Sequence, residues 1–119
     1  MKKIVIGGQI EKQMIADMVT ELVGDKATVV IKGDIDAAMA IKSGEADYYF
    51  GACNTGGGGA LALAIALAGA DKCCTVSMPG NIKSKEEIIS EINLGKIAFG
   101  LIPNDADVVL PIIINELFK

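Results

Sequence analysis

The chain contains no histidine, no arginine and no tryptophan. Without histidine there is no Ser-His triad and no imidazole-based metal centre. All eleven basic residues are lysine, so no guanidinium fork can grip a phosphate or a guanine edge at two points. Two tyrosines and three phenylalanines form no stacking series and the net charge is −4, which argues against nucleic acid as a partner. The three cysteines lack metal-ligand spacing, so no metal is expected. Their number is odd and Cys73 adjoins Cys74, a pattern of reduced thiols that fits the cytoplasm.

Long apolar runs are missing too. None reaches the length of about 18 residues that a membrane-spanning helix needs. The longest, residues 60–70, is alanine-rich, broken by Gly69 and followed by Asp71. The apolar stretch Ile4-Val5-Ile6 meets Gly7-Gly8 after three residues, too soon for a signal peptide, and reads as a first strand. No membrane association is expected, and cytoplasmic localisation follows as the default.

Hydrophobic residues are nevertheless abundant, at 51% of the 119 residues. That length gives one domain, residues 1–119, with a single core. A chain this apolar buries elements on both faces, as parallel α/β sheets do, or packs against other copies of itself.

Strand and helix patterns alternate regularly. Strands are predicted over 4–6, 27–31, 47–50, 72–76 and 97–101, and helices over 11–23, 35–43, 58–68, 85–94 and 106–118. Gly24, Gly44, Gly69 and Gly95 fall at helix ends, where a left-handed residue is wanted. Ser84-Lys85-Glu86-Glu87 has capping-box spacing, and Asp34 and Asn104 are candidate N-caps. Five β-α units without an extra hairpin predict a three-layer α/β fold. Its five-stranded parallel sheet, in order 2-1-3-4-5, is a flavodoxin-like or Rossmann-like open sheet.

In that order the chain changes direction between the first and third strands, leaving a crevice beyond their carboxyl ends. Gly7, Gly8 and Gln9 follow the first strand. Cys53, Asn54, Thr55, Gly56, Gly57, Gly58 and Gly59 follow the third and run into a helix. A helix N-terminus offers unpaired N–H groups and the positive end of its dipole, and glycines let backbone approach a ligand closely. These residues are the candidate site for a small anionic metabolite, a sugar phosphate or a carboxylate. The turn matches neither the P-loop nor the Rossmann fingerprint, and no cofactor is expected.

Cys53 precedes a helix N-terminus, a setting that favours thiolate and suits a nucleophile or proton-transfer base. A small buried residue closing a strand would look the same in sequence. Lys32, Lys83 and Lys85 follow strand ends and are candidates to add positive charge, with Lys32 and Lys83 placed in the site. Asp34, Asp105 and Asp107 read as helix caps, and the segment 77–81 as a flexible wall or lid. Helical stretches 60–68 and 108–114 are apolar all round, which predicts a subunit interface and a homo-oligomer.

The whole chain, above all the segments 47–56 and 95–100, resembles the YhfU-like family of small bacterial proteins of unknown function. The resemblance implies a bacterial cytoplasmic protein and brings no catalytic residues. The turn Cys53-Asn54-Thr55-Gly56-Gly57-Gly58 is also similar to the Cys-Gly-Thr-Gly-x-Gly turn of the ribose-5-phosphate isomerase B and galactose-6-phosphate isomerase family. That likeness implies an open α/β sheet with Cys53 as the proton-transfer base, while Thr55 and the glycines 56–59 hold enediolate oxygens. Those enzymes open rings and bind phosphate with histidine and arginine, so an open-chain substrate suits this chain better. The alternative expectation is a non-catalytic effector-binding or scaffold subunit working with metabolic enzymes.

Overall fold

β-branched and aromatic residues at Ile4-Val5-Ile6 and Tyr48-Tyr49-Phe50 make the two central strands of the sheet. The computed structural model describes all of residues 1–119. Its elements are β1 (Lys2–Gly8), α1 (Lys12–Val23), β2 (Ala27–Ile31), α2 (Asp34–Ser43), β3 (Tyr48–Ala52), α3 (Gly58–Ala68) and β4 (Cys73–Thr75). They continue with β5 (Ser77–Met78), β6 (Asn81–Ile82), α4 (Lys85–Asn93), β7 (Ala98–Leu101) and α5 (Ala106–Leu117). The expected three-layer α/β fold is present, with five parallel strands and helices on both faces.

Strand alternation divides the core. Val5, Tyr49 and Ala98 face one side and pack with Ala37, Ile41, Leu61 and Ala64 of α2 and α3. Ile4, Ile6, Phe50 and Phe99 face the other and pack with apolar residues of α1, α4 and α5. Phe50 and Phe99 stack there with ring centroids 5.5 Å apart.

The strand order differs from expectation in its second half. The sheet runs β2-β1-β3-β7-β4, so the last strand of the chain inserts between β3 and β4. Burial explains the exchange. Ala98, Phe99, Gly100 and Leu101 are all buried, as a strand covered on both faces must be, whereas β4 has three residues ending in half-buried Thr75. The short, partly polar strand takes the edge.

A hairpin, also unexpected, interrupts the β-α alternation. β5 and β6 pair antiparallel, Ser77 with Ile82 and Met78 with Asn81, around Pro79-Gly80. Pro79 and Gly80 (φ 75°) supply the torsions of a type II turn. The segment read as a wall or lid is therefore an ordered ribbon.

Punctuation is largely as predicted. Gly24, Gly44 and Gly69 end α1, α2 and α3 with φ of 59°, 83° and 102°. Ser84 and Glu87 form the capping box of α4, with bonds of 2.9 and 3.1 Å. The other two caps are not made. Gly33 is the N-cap of α2, and Asn104 lies inside a 3-10 turn, Pro103–Asp105, begun by the fixed φ of Pro103. Asp34 has a different use.

Candidate functional site

β1 and β3 are neighbours, with Gly7 opposite Gly51 and Gly8 opposite Ala52. The turns that follow them therefore meet at one edge of the sheet. The N–H groups of Gln9 and Ile10 both donate to the Ala52 carbonyl, at 3.0 and 3.3 Å. The Gln9 side-chain amide lies against Gly59 at the start of α3, in space that any Cβ there would enter. So the edge is closed by one exposed, flexible polar side chain rather than by backbone.

The glycine turn is fixed on its far side by three close approaches. Gly56, at φ 83°, packs its Cα against the Ser77 carbonyl, and its own carbonyl packs against Gly100 of β7. Gly57 packs against the Thr75 hydroxyl. The hairpin is held in turn by Ser77, whose buried Oγ accepts the Ile102 N–H at 2.9 Å. The ribbon 77–82 thus forms a wall of this edge.

Cys53 sits at the centre, with 2% of its surface exposed. Its Sγ is 3.3 Å from Thr55 Oγ1, and that oxygen accepts the Gly58 N–H at 3.1 Å. Accepting there leaves the hydroxyl proton of Thr55 free to point at sulfur. Burial pushes the thiol up, but the Thr55 hydroxyl and the N–H groups of Thr55, Ala60 and Gly59 outweigh it and hold Cys53 below the ordinary thiol value. The first turn of α3 is thus tied to the sulfur through the Thr55 hydroxyl. The N–H groups of Asn54, Gly56 and Gly57 donate to no acceptor within the chain, and the Asn54 and Thr55 side chains are exposed.

The other two thiols behave differently. Cys73 and Cys74 point to opposite faces of β4 and are buried in the two halves of the core. Burial raises both, Cys74 to about 12 with the help of nearby Glu91. They are packing residues.

The lysines are dispersed. Lys32 follows β2; its N–H donates to the Ile6 carbonyl, and its own carbonyl accepts from Lys12 Nζ at 2.8 Å. Lys83 donates its N–H to the Val76 carbonyl and keeps company with Glu87 and Cys74 at the β4 edge, two strands from β3. Lys85 lines a groove of about 650 Å³ formed by Leu22 of α1, Ile89 of α4 and Ile112 of α5. That groove, the largest concavity of the molecule, does not include the glycine turns.

The structure adds two residues to the site, Tyr49, which reads in sequence as a plain strand residue, and Asp34, which reads as a helix cap. Tyr49 leans along β3 so that its ring lies over Gly7 and Gly51; a Cβ on Gly7 would stand 2.5 Å from Cε2, and one on Gly51 2.9 Å from Oη. The hydroxyl reaches Asp34 Oδ1 at 2.7 Å and the Ala60 carbonyl at 2.5 Å. The same Asp34 oxygen accepts the Gly8 N–H at 3.0 Å. Asp34 therefore binds the first glycine turn instead of capping α2. Burial and the neighbouring Asp34 raise the tyrosine well above its usual value, so it stays a proton donor. Glycine at both register positions beside a tyrosine was the available signal.

No helix is long and apolar enough to cross a membrane. The chain is 44% identical over 118 residues to the "Uncharacterized protein YhfU" of Escherichia coli (strain K12), covering 98% of this chain and 99% of that protein. The Shigella flexneri protein of the same description matches to the same extent. Neither these relatives nor the family shows the likeness to the isomerases. No solved structure matches the chain. Residues 2–117 match the model of the family described as "Protein of unknown function DUF2620", and the chain belongs to that family.

Proposed function

We propose that the edge formed by Gly7, Gly8 and Gln9 with residues 53–59 binds a small anionic metabolite, a sugar phosphate or a carboxylate. The observation that carries this reading is the set of backbone donors around Cys53. Those of Thr55, Gly59 and Ala60 hold its thiol below the ordinary value, and those of Asn54, Gly56 and Gly57, in the turn that follows it, donate to no acceptor within the chain. Gln9 is the exposed group that an entering ligand engages or displaces. Lys32, on the β2 side, adds positive charge, and Lys83 contributes only at longer range.

The chemistry that suits such a site is proton transfer beside a carbonyl. The Cys53 thiolate takes the proton from the carbon next to the carbonyl, so a C–H bond breaks and an S–H bond forms. The electron pair moves onto the carbonyl oxygen, and the N–H groups of Gly56 and Gly57 stabilise the resulting enolate. Returning the proton to the former carbonyl carbon, while the hydroxyl on the adjacent carbon gives its proton to the enolate oxygen and becomes the new carbonyl, completes an isomerisation without cofactor or metal. The protein works in this reading in the cytoplasm, where its three free thiols stay reduced.

A thermal-shift panel of sugar phosphates, keto acids and hydroxy acids tests the binding. A ligand that binds only the native state raises the midpoint, by about 2.7 kcal/mol of stability at a hundredfold excess over Kd. Solvent deuterium exchange into any binder tests the chemistry, with Cys53→Ala expected to abolish it.

A second reading, a non-catalytic effector-binding or scaffold subunit, is favoured by apolar side chains on the outer surface. Ile35 and Met39 of α2, Ile65 of α3 and Val108 of α5 are all exposed. The same faces suit a homo-oligomer. Light scattering at micromolar concentration reads the mass directly, and a monomer rules the oligomer out. A midpoint insensitive to every anion but raised by a partner protein selects the scaffold.

A further inference from the structure

Tyr49 is the buried side chain that spans both halves of the edge. Its hydroxyl lies at the Ala60 carbonyl in the first turn of α3, the turn whose Gly58 N–H donates at 3.1 Å to Thr55 Oγ1, itself 3.3 Å from the Cys53 sulfur. The same hydroxyl lies 2.7 Å from Asp34 Oδ1, so its one proton is shared between two acceptors, and Asp34 holds the Gly8 N–H at 3.0 Å. The chain of contacts therefore runs from the β1 turn through Asp34 and Tyr49 to the first turn of α3, and from there through Gly58 and Thr55 to the sulfur. The ring cannot tilt away, because it is wholly buried between Gly7 and Gly51, and its hydroxyl has no solvent to turn to.

We propose that Tyr49, with Asp34, is a positioning residue that holds the first turn of α3, and through Gly58 and Thr55 the Cys53 sulfur, in register with the β1 turn that meets the ligand. This rests on the reading of Cys53 as a thiolate base. A peptide dipole acts on a neighbouring charge through its direction, so a first turn free to rotate loses much of its effect on the sulfur. Ligand engagement at Gly8 and Gln9 then acts on the sulfur through the same two side chains.

The test is an ultraviolet titration of the thiolate in a Cys73→Ser/Cys74→Ser background, which isolates Cys53 without needing reagent access. Tyr49→Phe, which removes only the hydroxyl, raises the midpoint and lowers the thiolate fraction at neutral pH several-fold. Asp34→Ala shifts it in the same direction, and the double variant goes little further than Tyr49→Phe, because both act through one hydroxyl. Backbone amide exchange at Gly8 and Ala60 becomes faster in each. If Tyr49→Phe fails to fold, Asp34→Ala carries the test. A parent thiol that titrates like free cysteine overturns the thiolate reading, and this proposal with it. A lowered parent midpoint unchanged in both variants, even with faster exchange or lost stability, leaves the base in place and overturns the positioning role alone.

Discussion

Gly7 of β1 stands opposite Gly51 of β3, and the ring of Tyr49 lies over both. Two side-chain-free positions side by side in a buried parallel ladder cost the sheet packing and entropy. Here they make the channel through which a tyrosine reaches the helix ends.

Gly51→Ala places a methyl 2.9 Å from Tyr49 Oη and 3.0 Å from the Ala60 carbonyl. Overpacking of this kind destabilises by roughly 1–3 kcal/mol. Denaturant unfolding should give a lower midpoint with an unchanged slope. Combining Gly51→Ala with Tyr49→Phe, which removes one of the crowding atoms, should cost less than the sum of the two.

Gly56 and Gly80 separate backbone strain from crowding. Both have positive φ, 83° and 75°, but only Gly56 is pressed against a carbonyl, that of Ser77, while a Cβ at Gly80 meets nothing within 4 Å. Gly80→Ala should cost only the left-handed penalty, roughly 1–2 kcal/mol. Gly56→Ala must also push the hairpin off the turn, and should lower thermal stability much further while loosening the Cys53 environment.

Alkaline pH should destabilise the fold through Cys74. Its thiol is raised from the ordinary 9.0 to about 12 in the folded chain, so folded protein keeps a proton that unfolded protein releases. The contribution of the neutral thiol is complete below pH 9 and is lost as pH rises towards 12. Cys74→Ala should flatten the fall of unfolding midpoint with pH across that window, whatever it costs near neutrality.

The sequence made the fold readable because its signals are local. Glycines at 24, 44 and 69 stop helices wherever they pack, and Ser84 with Glu87 starts one by itself. The exchange of β7 and β4 could not be read that way. Which strand goes inside depends on a competition in burial between Ala98–Leu101 and Cys73–Thr75 that no single segment states. The site was half legible. Its turns and Cys53 announce themselves by composition, while Tyr49 reads as one more apolar strand residue and Asp34 as a helix cap until the tertiary fold brings them together at 2.7 Å. Lys83 looked eligible only because every loop after a strand looks alike in sequence; the inserted β7 moves it two strands away.

The central claim, that hydrogen bonding at the start of α3 holds the Cys53 thiol below its ordinary value, is met most directly by the thiolate titration of Cys53 in the folded chain. The account predicts a midpoint below that of the same thiol in the unfolded chain, with the shift abolished on unfolding in denaturant. A midpoint at or above the free-thiol value would contradict it and leave Cys53 a packing residue at a strand end.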